Sequence, residues 1–445
     1  MKFVELRQSS AFVLIAMCCS TFTDTFIYGM IVPILPYLLV RNSIKSSESS
    51  IKIPSVREPK YVLTRTQFND GRPFYLQPTT ALVGLVSDRI QSRKYPLLFG
   101  YITIAISTSL FLFGNSPSLI VIARAFQGLS GAIVGVLSFA LVADSTSPEK
   151  MGEFMAFLSS SFTWGMIMGP VLGGILFDHF GIYGSFAFPI LLLFCDVVLR
   201  CSIIEPRTAP QHRDQAQDGH EEEPLISTHD STRKILRLRH FVDVRFMMAI
   251  IVEITISSIL SAFEATLPLF TMETYQWTST KSGLLFLGIS LPSLLSIPMA
   301  KYGRTWNRRR TVAIELILAL FPLSALRLAE FTTLSRKILF VALVMCVGLF
   351  MTTSQAQIMA EVSDAVREIE SKNGIDNRTR SGMGTGYAFC NVAIAIGQFL
   401  GPLVAGYARL QLGWGGMTLI LGGISGSLGF LSLLINRPRT GVSVV

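Results

Sequence analysis

The sequence predicts an all-α membrane protein assembled from two six-helix halves. Three observations lead there: apolar blocks long enough to cross a bilayer, a glycine–proline pattern that recurs 232 positions later, and basic residues gathered between the blocks. Half of the 445 residues are hydrophobic and only 15% are charged, where a soluble chain carries roughly 25% charge. Mean hydropathy is +0.51. A bilayer-spanning helix needs about 20 consecutive apolar residues, and that criterion organises the chain.

Taken in order, the predicted spans are 11–40, 95–113, 117–143, 154–177, 182–204, 246–271, 282–300, 311–331, 338–360, 383–408 and 414–435. The first holds one ionisable carboxylate, Asp24, near its middle, and the third holds Arg124 about two turns in. Span 182–204 carries Asp196 and Arg200 at i, i+4 spacing near its end, which reads as a structural pair. Span 246–271 contains Glu253 and Glu264, and span 311–331 contains Glu315, an expected interfacial partner of the Arg308–Arg310 cluster. The cysteines (Cys18, Cys19, Cys195, Cys201, Cys346, Cys390) lie within or beside apolar blocks and form no CxxC pair. They are expected to be small buried apolar residues rather than disulfides or zinc ligands.

Basic residues concentrate at Arg89, Arg93 and Lys94, at Arg233, Lys234, Arg237 and Arg239, and at Arg304, Arg308, Arg309 and Arg310. The intervening connections, such as GNSPS and DHFGIYGS, carry little positive charge. The positive-inside rule then places the basic loops and both termini in the cytoplasm. The same clustering accounts for the net charge of +9, so no nucleic-acid partner is expected. The polar stretch between 204 and 246 reads as a linker. It divides the chain into an N-terminal transmembrane half (1–204), a cytoplasmic linker (205–245) and a C-terminal transmembrane half (246–445).

Duplication supports this division. Gly165, Gly169, Pro170, Gly174 and Gly181 recur as Gly397, Gly401, Pro402, Gly406 and Gly413, every pair 232 positions apart. Two similar halves around a central site are expected of secondary transporters. One element resists the pattern. The second helix of the first half should fall between Pro33 and Asp88, yet only Pro73 to Ser87 is free of charge. Such a helix reaches about 22 Å, short of a hydrocarbon core of about 30 Å. Either 73–90 crosses as a short, strained helix, or this stretch is not the native sequence of a working protein.

GLVSDRIQSRK (84–94), with Gly84, Asp88, Arg89, Arg93 and Lys94, resembles the loop signature of the major facilitator superfamily. An acid and several bases at a helix–loop boundary can lock neighbouring helix ends in one state and release them in another. RAFQGLSGA (124–132) resembles the fourth-helix signature of the proton-coupled members. Arg124 lies at membrane depth unless it snorkels to the interface, and an unpaired charge there costs at least ~3 kcal/mol. GMIMGPVLGGILFDHFG (165–181) is similar to the fifth-helix signature of drug:proton antiporters. Gly165, Gly169 and Gly173 leave one helix face without side chains, so a neighbour can approach closely, and Pro170 permits a bend beside Gly174. FTDTFIYGMIVPILPYL (22–38) and FEATLPLFTMETYQW (263–277) are similar to the first and seventh helices of vesicular amine transporters and their fungal relatives.

The resemblance implies a twelve-helix major facilitator fold, with proton-coupled export of a small organic compound by alternating access. Carboxylates in a membrane are costly and usually functional. Asp24 and Glu264 are therefore expected to line a central cavity and bind protons or cations, with Arg124 and Asn391 completing the site. Glu253 lies three helical turns before Glu264 on the same face and can equally pair with a basic helix end. The vesicular amine transporters carry further acids in their tenth and eleventh helices. The matching positions here, Met351–Thr352 and Asn391, are neutral, which favours a neutral or weakly charged compound over a cationic amine.

The expected partners are that substrate, protons and the lipid bilayer, for a monomer without cofactor or metal. No catalytic constellation is present, so an enzyme is not expected. The address is the plasma membrane or, from the acidic di-leucine-like EEEPLI (221–226), a vacuolar or endosomal membrane. Two rival readings stay open: an importer or uniporter on the same fold, and a non-transporting protein without a complete second helix.

Overall fold

A computed structural model describes residues 7, 9–48, 94–113, 117–146, 150–203, 241–292, 308–330, 333–372 and 381–435. The described residues are helical throughout: α1 (Ser10–Glu48), α2 (Lys94–Phe113), α3 (Pro117–Ser145), α4 (Met151–Ser202), α5 (Val244–Tyr275), α6 (Ser279–Ser290), α7 (Arg308–Ala325), α8 (Leu334–Lys372) and α9 (Ser381–Ile435), with a 3-10 turn at Leu326–Glu330. The 84–93 part of the loop motif, the 73–90 segment and residues 205–240 of the central linker fall outside these residues, as do 293–300 of the 282–300 span.

Eight of the helices are long and apolar enough to cross a membrane. α4 and α9, with 52 and 55 residues, are far longer than one crossing requires. Each is broken at the glycine that the duplication picks out. Gly181 has φ 65° and ψ −166°, and Gly413 has φ 73° and ψ −174°. α4 folds back there. Its last turn reaches Arg7, whose side chain donates to the Ser202 carbonyl, while Ser10 on the same helical start bonds the Ser145 carbonyl just ahead of α4.

Packing repeats along with sequence. A Cβ at Gly165 would lie 2.6 Å from the Phe22 carbonyl, and one at Gly169 2.6 Å from the Phe26 carbonyl. In the second half a Cβ at Gly397 would lie 2.5 Å from the Ile254 carbonyl, and one at Gly401 2.1 Å from the Ser258 carbonyl. Both members of each contact are displaced by the same 232 positions. The first arm of α4 thus presses on α1 as α9 presses on α5, backbone to backbone. Hydrocarbon gives helices no hydrophobic drive to associate, so such close approach supplies the attraction.

The outer faces carry exposed Ile102, Ile106, Phe113, Phe157, Phe194 and Phe430. Water would not tolerate so broad an apolar surface; lipid does. The cysteines follow this rule and correct the expectation of burial. Only Cys390 is buried, Cys18 is intermediate, and Cys19, Cys195, Cys201 and Cys346 are exposed on apolar faces.

Two polar segments also depart from expectation. α1 continues through Arg41–Glu48, and α8 continues twelve residues beyond the predicted end at 360. Glu, Lys and Arg are good helix formers once outside hydrocarbon. The α8 extension organises a charge network at the basic end of the second half. Glu361 Oε1 accepts from Arg245 Nε and Arg309 Nε, each at 2.6 Å, while Glu368 pairs with Arg245 and Lys372, and Asp364 with Arg308.

Candidate transport cavity

A cavity of about 250 Å³ lies between the two sets of helices. α1 contributes Tyr28, Gly29 and Val32, the first arm of α4 Phe162, Thr163, Met166, Ile167 and Pro170, and α5 Leu260 and Glu264. α6 adds Phe286, Ile289 and Ser290, and α8 adds Thr352 and Gln355. Local sequence explains the space. Pro170 has no N–H to offer the preceding turn, and its Cδ sits 2.7 Å from where a Cβ on Gly29 would be. The walls are mostly apolar, with hydroxyls and one amide, and Glu264 is the only carboxylate among the described residues that line them. An apolar pocket with a few fixed polar groups is the usual form of a small-molecule site.

Glu264 is tied to the opposite half. The Tyr28 hydroxyl donates to its Oε2 at 3.1 Å. The Arg124 guanidinium lies over the Tyr28 ring at 5.3 Å and near the Phe111 ring at 5.5 Å, and donates to Gln127 Oε1 at 2.8 Å. Arg124 is therefore half-buried inside the bundle, its charge met by two aromatic faces and an amide oxygen. Its predicted neighbours are reached through Tyr28, which sequence reasoning did not single out. The signal available was its i+4 spacing from Asp24, which puts the two on one face of α1.

The remaining predicted residues are placed differently. Asp24 does not line the cavity. It is half-buried between α1 and α3, where Ser130 Oγ donates to its Oδ1 at 3.1 Å and a Cβ at Gly131 would come within 3.2 Å of its Oδ2. Asn391 is exposed on α9 and is likewise absent from the lining. Pro170 is in the wall, while Gly165, Gly169 and Gly173 face α1 and Gly174 faces the start of α6. Gly84, Asp88, Arg89 and Arg93 lie outside the described residues.

One further expectation is corrected. Glu315 is not an interfacial partner of Arg308–Arg310. Two turns into α7 it points inward, 4% exposed, and accepts from Ser354 Oγ at 2.7 Å and Gln357 Nε2 at 2.9 Å on α8. Asp196 and Arg200, which the sequence reads as a structural pair, are 2% and 0% exposed. The helical fold-back at Gly181 carries them inside the first half.

One end of the cavity is sealed by contacts between the halves. Asp178 accepts from the Ser279 and Thr280 N–H groups at 3.2 and 2.8 Å, capping the start of α6 from α4. The Tyr37 hydroxyl donates to the Trp277 carbonyl at 2.8 Å. A Cβ at Gly283 would lie 2.2 Å from the Pro170 carbonyl, and one at Gly174 2.4 Å from the Ser279 carbonyl. This end is opposite the Arg245–Glu361 network. On the same side Arg409, 8% exposed, pairs with Glu273 at 2.8 Å.

Residues 17–377 match the sequence model of the Major Facilitator Superfamily. An MFS-type transporter of Schizosaccharomyces pombe is 29% identical, over 92% of this chain and 92% of its own. A probable vesicular acetylcholine transporter-B of Danio rerio is 24% identical over 98% of this chain and 81% of its own. Among solved structures, a bacterial homolog of the human lysosomal transporter Spinster superposes with a TM-score of 0.67 at 13% identity, covering 97% of this chain and 99% of that one.

Proposed function

The chain belongs to the major facilitator superfamily, a family of multi-pass membrane transporters and not enzymes, and on that premise we propose that it exports a small organic compound in exchange for protons. The observation that carries the reading is one carboxylate, Glu264, in a mostly apolar cavity between the halves, hydrogen-bonded across the interface by Tyr28.

The chemistry follows from that placement. With the Asp178 end sealed, the cavity is loaded from the basic end. Once the halves rock and the Asp178 end opens, the compound leaves, and a proton arriving at Glu264 from that side removes the charge that Tyr28 and Arg124 answer. The Tyr28–Glu264 bond weakens, and the halves rock back to reopen the basic end. Asp24, one helical turn before Tyr28 and held by Ser130, is a second proton-binding group in the first half. Arg124 beside Glu264 brings the local charge close to balance, which favours a neutral or weakly charged substrate over an organic cation.

Direction follows from the sign of accumulation. Purified protein in proteoliposomes with an imposed pH gradient is challenged with a panel of neutral and weakly charged fluorescent compounds. Export by antiport accumulates a compound in the more acidic compartment and moves protons the other way. Accumulation with the protons identifies an importer, and equilibration without proton movement identifies a uniporter.

A further inference from the structure

A second carboxylate adjoins the cavity without entering it. Glu253 is 0% exposed on α5, three turns from Glu264. Its Oε1 accepts from Gln355 Nε2 of α8 at 3.2 Å and from Ser257 Oγ of its own helix at 3.3 Å. Its Oε2 has no hydrogen-bond partner among the described residues. From α9 the Cys390 thiol lies close enough to feel its charge. No lysine, arginine or histidine among the described residues forms an ion pair with it, so the expected alternative of a basic helix-end partner is not what the fold provides.

Gln355 belongs to both environments, because it also lines the cavity. A primary amide has an acceptor end and a donor end. An ionised Glu253 can only accept, so it claims the NH₂ end and leaves the carbonyl for the cavity. A protonated Glu253 can donate its O–H to that carbonyl, and the amide then turns its NH₂ towards the cavity. A fully buried carboxylate with one oxygen lacking a partner among the described residues is costly when ionised, and a proton relieves that cost.

We propose that Glu253 is a proton-binding carboxylate which, through Gln355, sets whether the cavity offers its occupant a hydrogen-bond acceptor or a donor. This deepens the transport reading by assigning a specificity-determining residue, and it rests on that reading only for the proton's role in the cycle.

The test needs no transported ligand. Infrared difference spectra of the purified full-length protein in lipid nanodiscs are recorded across a pH titration, reading the C=O band of protonated carboxyl groups. The wild type shows a titrating band that is lost in Glu253→Gln and kept in Glu264→Gln. Gln355→Leu retains the band but moves it, because the carboxyl has lost its amide partner. A titrating spectrum identical in wild type and Glu253→Gln overturns the proposal. Should Glu253→Gln fail to fold, Gln355→Leu decides alone: a displaced band supports the link, and an unchanged one overturns it. An inactive protein that still shows the Glu253 band would sink the transport reading and leave this site standing.

Discussion

Gly181 and Gly413 stand 232 positions apart and share one positive-φ backbone conformation, φ 65° and 73° with ψ near the extended limit. Each breaks a long helix at the point where the chain turns back through the bilayer. A Cβ at either position would meet nothing within 4 Å, so the requirement for glycine is one of backbone alone. An L-residue in this essentially glycine-only region costs roughly 1–3 kcal/mol. Gly413→Ala is expected to lower stability by about that amount and depress the thermal midpoint in detergent. Gly423→Ala, in open space on the same helix, is expected to leave it unchanged or raise it.

The glycines facing α1 act through space instead. A Cβ at Gly169 would sit 2.6 Å from the Phe26 carbonyl and 3.0 Å from the Gly29 Cα. Backbone atoms cannot swing aside, so α1 and α4 must separate. Gly169→Ala is expected to lose most of the monodisperse protein on size-exclusion chromatography. Gly135→Ala, with no neighbour within 4 Å, is expected to behave as wild type.

At the basic end, Glu361 is 5% exposed and serves two arginines that are 20% and 32% exposed. Replacing it with Gln leaves Arg245 and Arg309 facing a neutral amide. Breaking a fully buried pair costs about 3–5 kcal/mol, and the partial exposure of both arginines reduces this to roughly 2 kcal/mol. The thermal midpoint of Glu361→Gln measures it, and a midpoint equal to wild type would remove the network from the account.

Asp178 closes the other end. Asp178→Ala leaves the Ser279 and Thr280 N–H groups uncapped, a loss of about 1 kcal/mol or roughly fivefold in the equilibrium between closed and open states. In a cysteine-free background carrying Thr163→Cys, labelling by an impermeant maleimide added at the Asp178 face is expected to quicken by that factor. Unchanged labelling would show that this contact does not gate the cavity.

Much of this was legible in the sequence for a physical reason. Bilayer-length apolar blocks leave few choices of element, and the recurrence of Gly165, Gly169 and Gly181 as Gly397, Gly401 and Gly413 reports two backbones packed in one way. Glu264 stood out because a carboxylate in hydrocarbon needs a reason. Tyr28 and Gln355 did not stand out. Neutral polar side chains cost little in a helix, so nothing in composition distinguishes the one that bridges two halves from the one that caps a turn. Asp24 was legible as a buried acid but not as a residue turned towards Ser130, because helical period gives a face and not the neighbour that meets it. Glu315 was misread for the same reason: nearness in sequence to three arginines said nothing of Ser354 and Gln357, which come from another helix.

The central claim is that carboxylates inside the bundle bind the protons that drive transport. Its most direct measurement uses proteoliposomes loaded with a pH-sensitive dye. Proton movement is recorded on adding a compound that the wild type transports, and is compared with Glu264→Gln and Asp24→Asn. The account expects proton movement to fall at least about tenfold in Glu264→Gln, a loss of roughly 1.4 kcal/mol or more in transition-state terms, with a clear reduction in Asp24→Asn. Proton-coupled transport at the wild-type rate in both variants would contradict it.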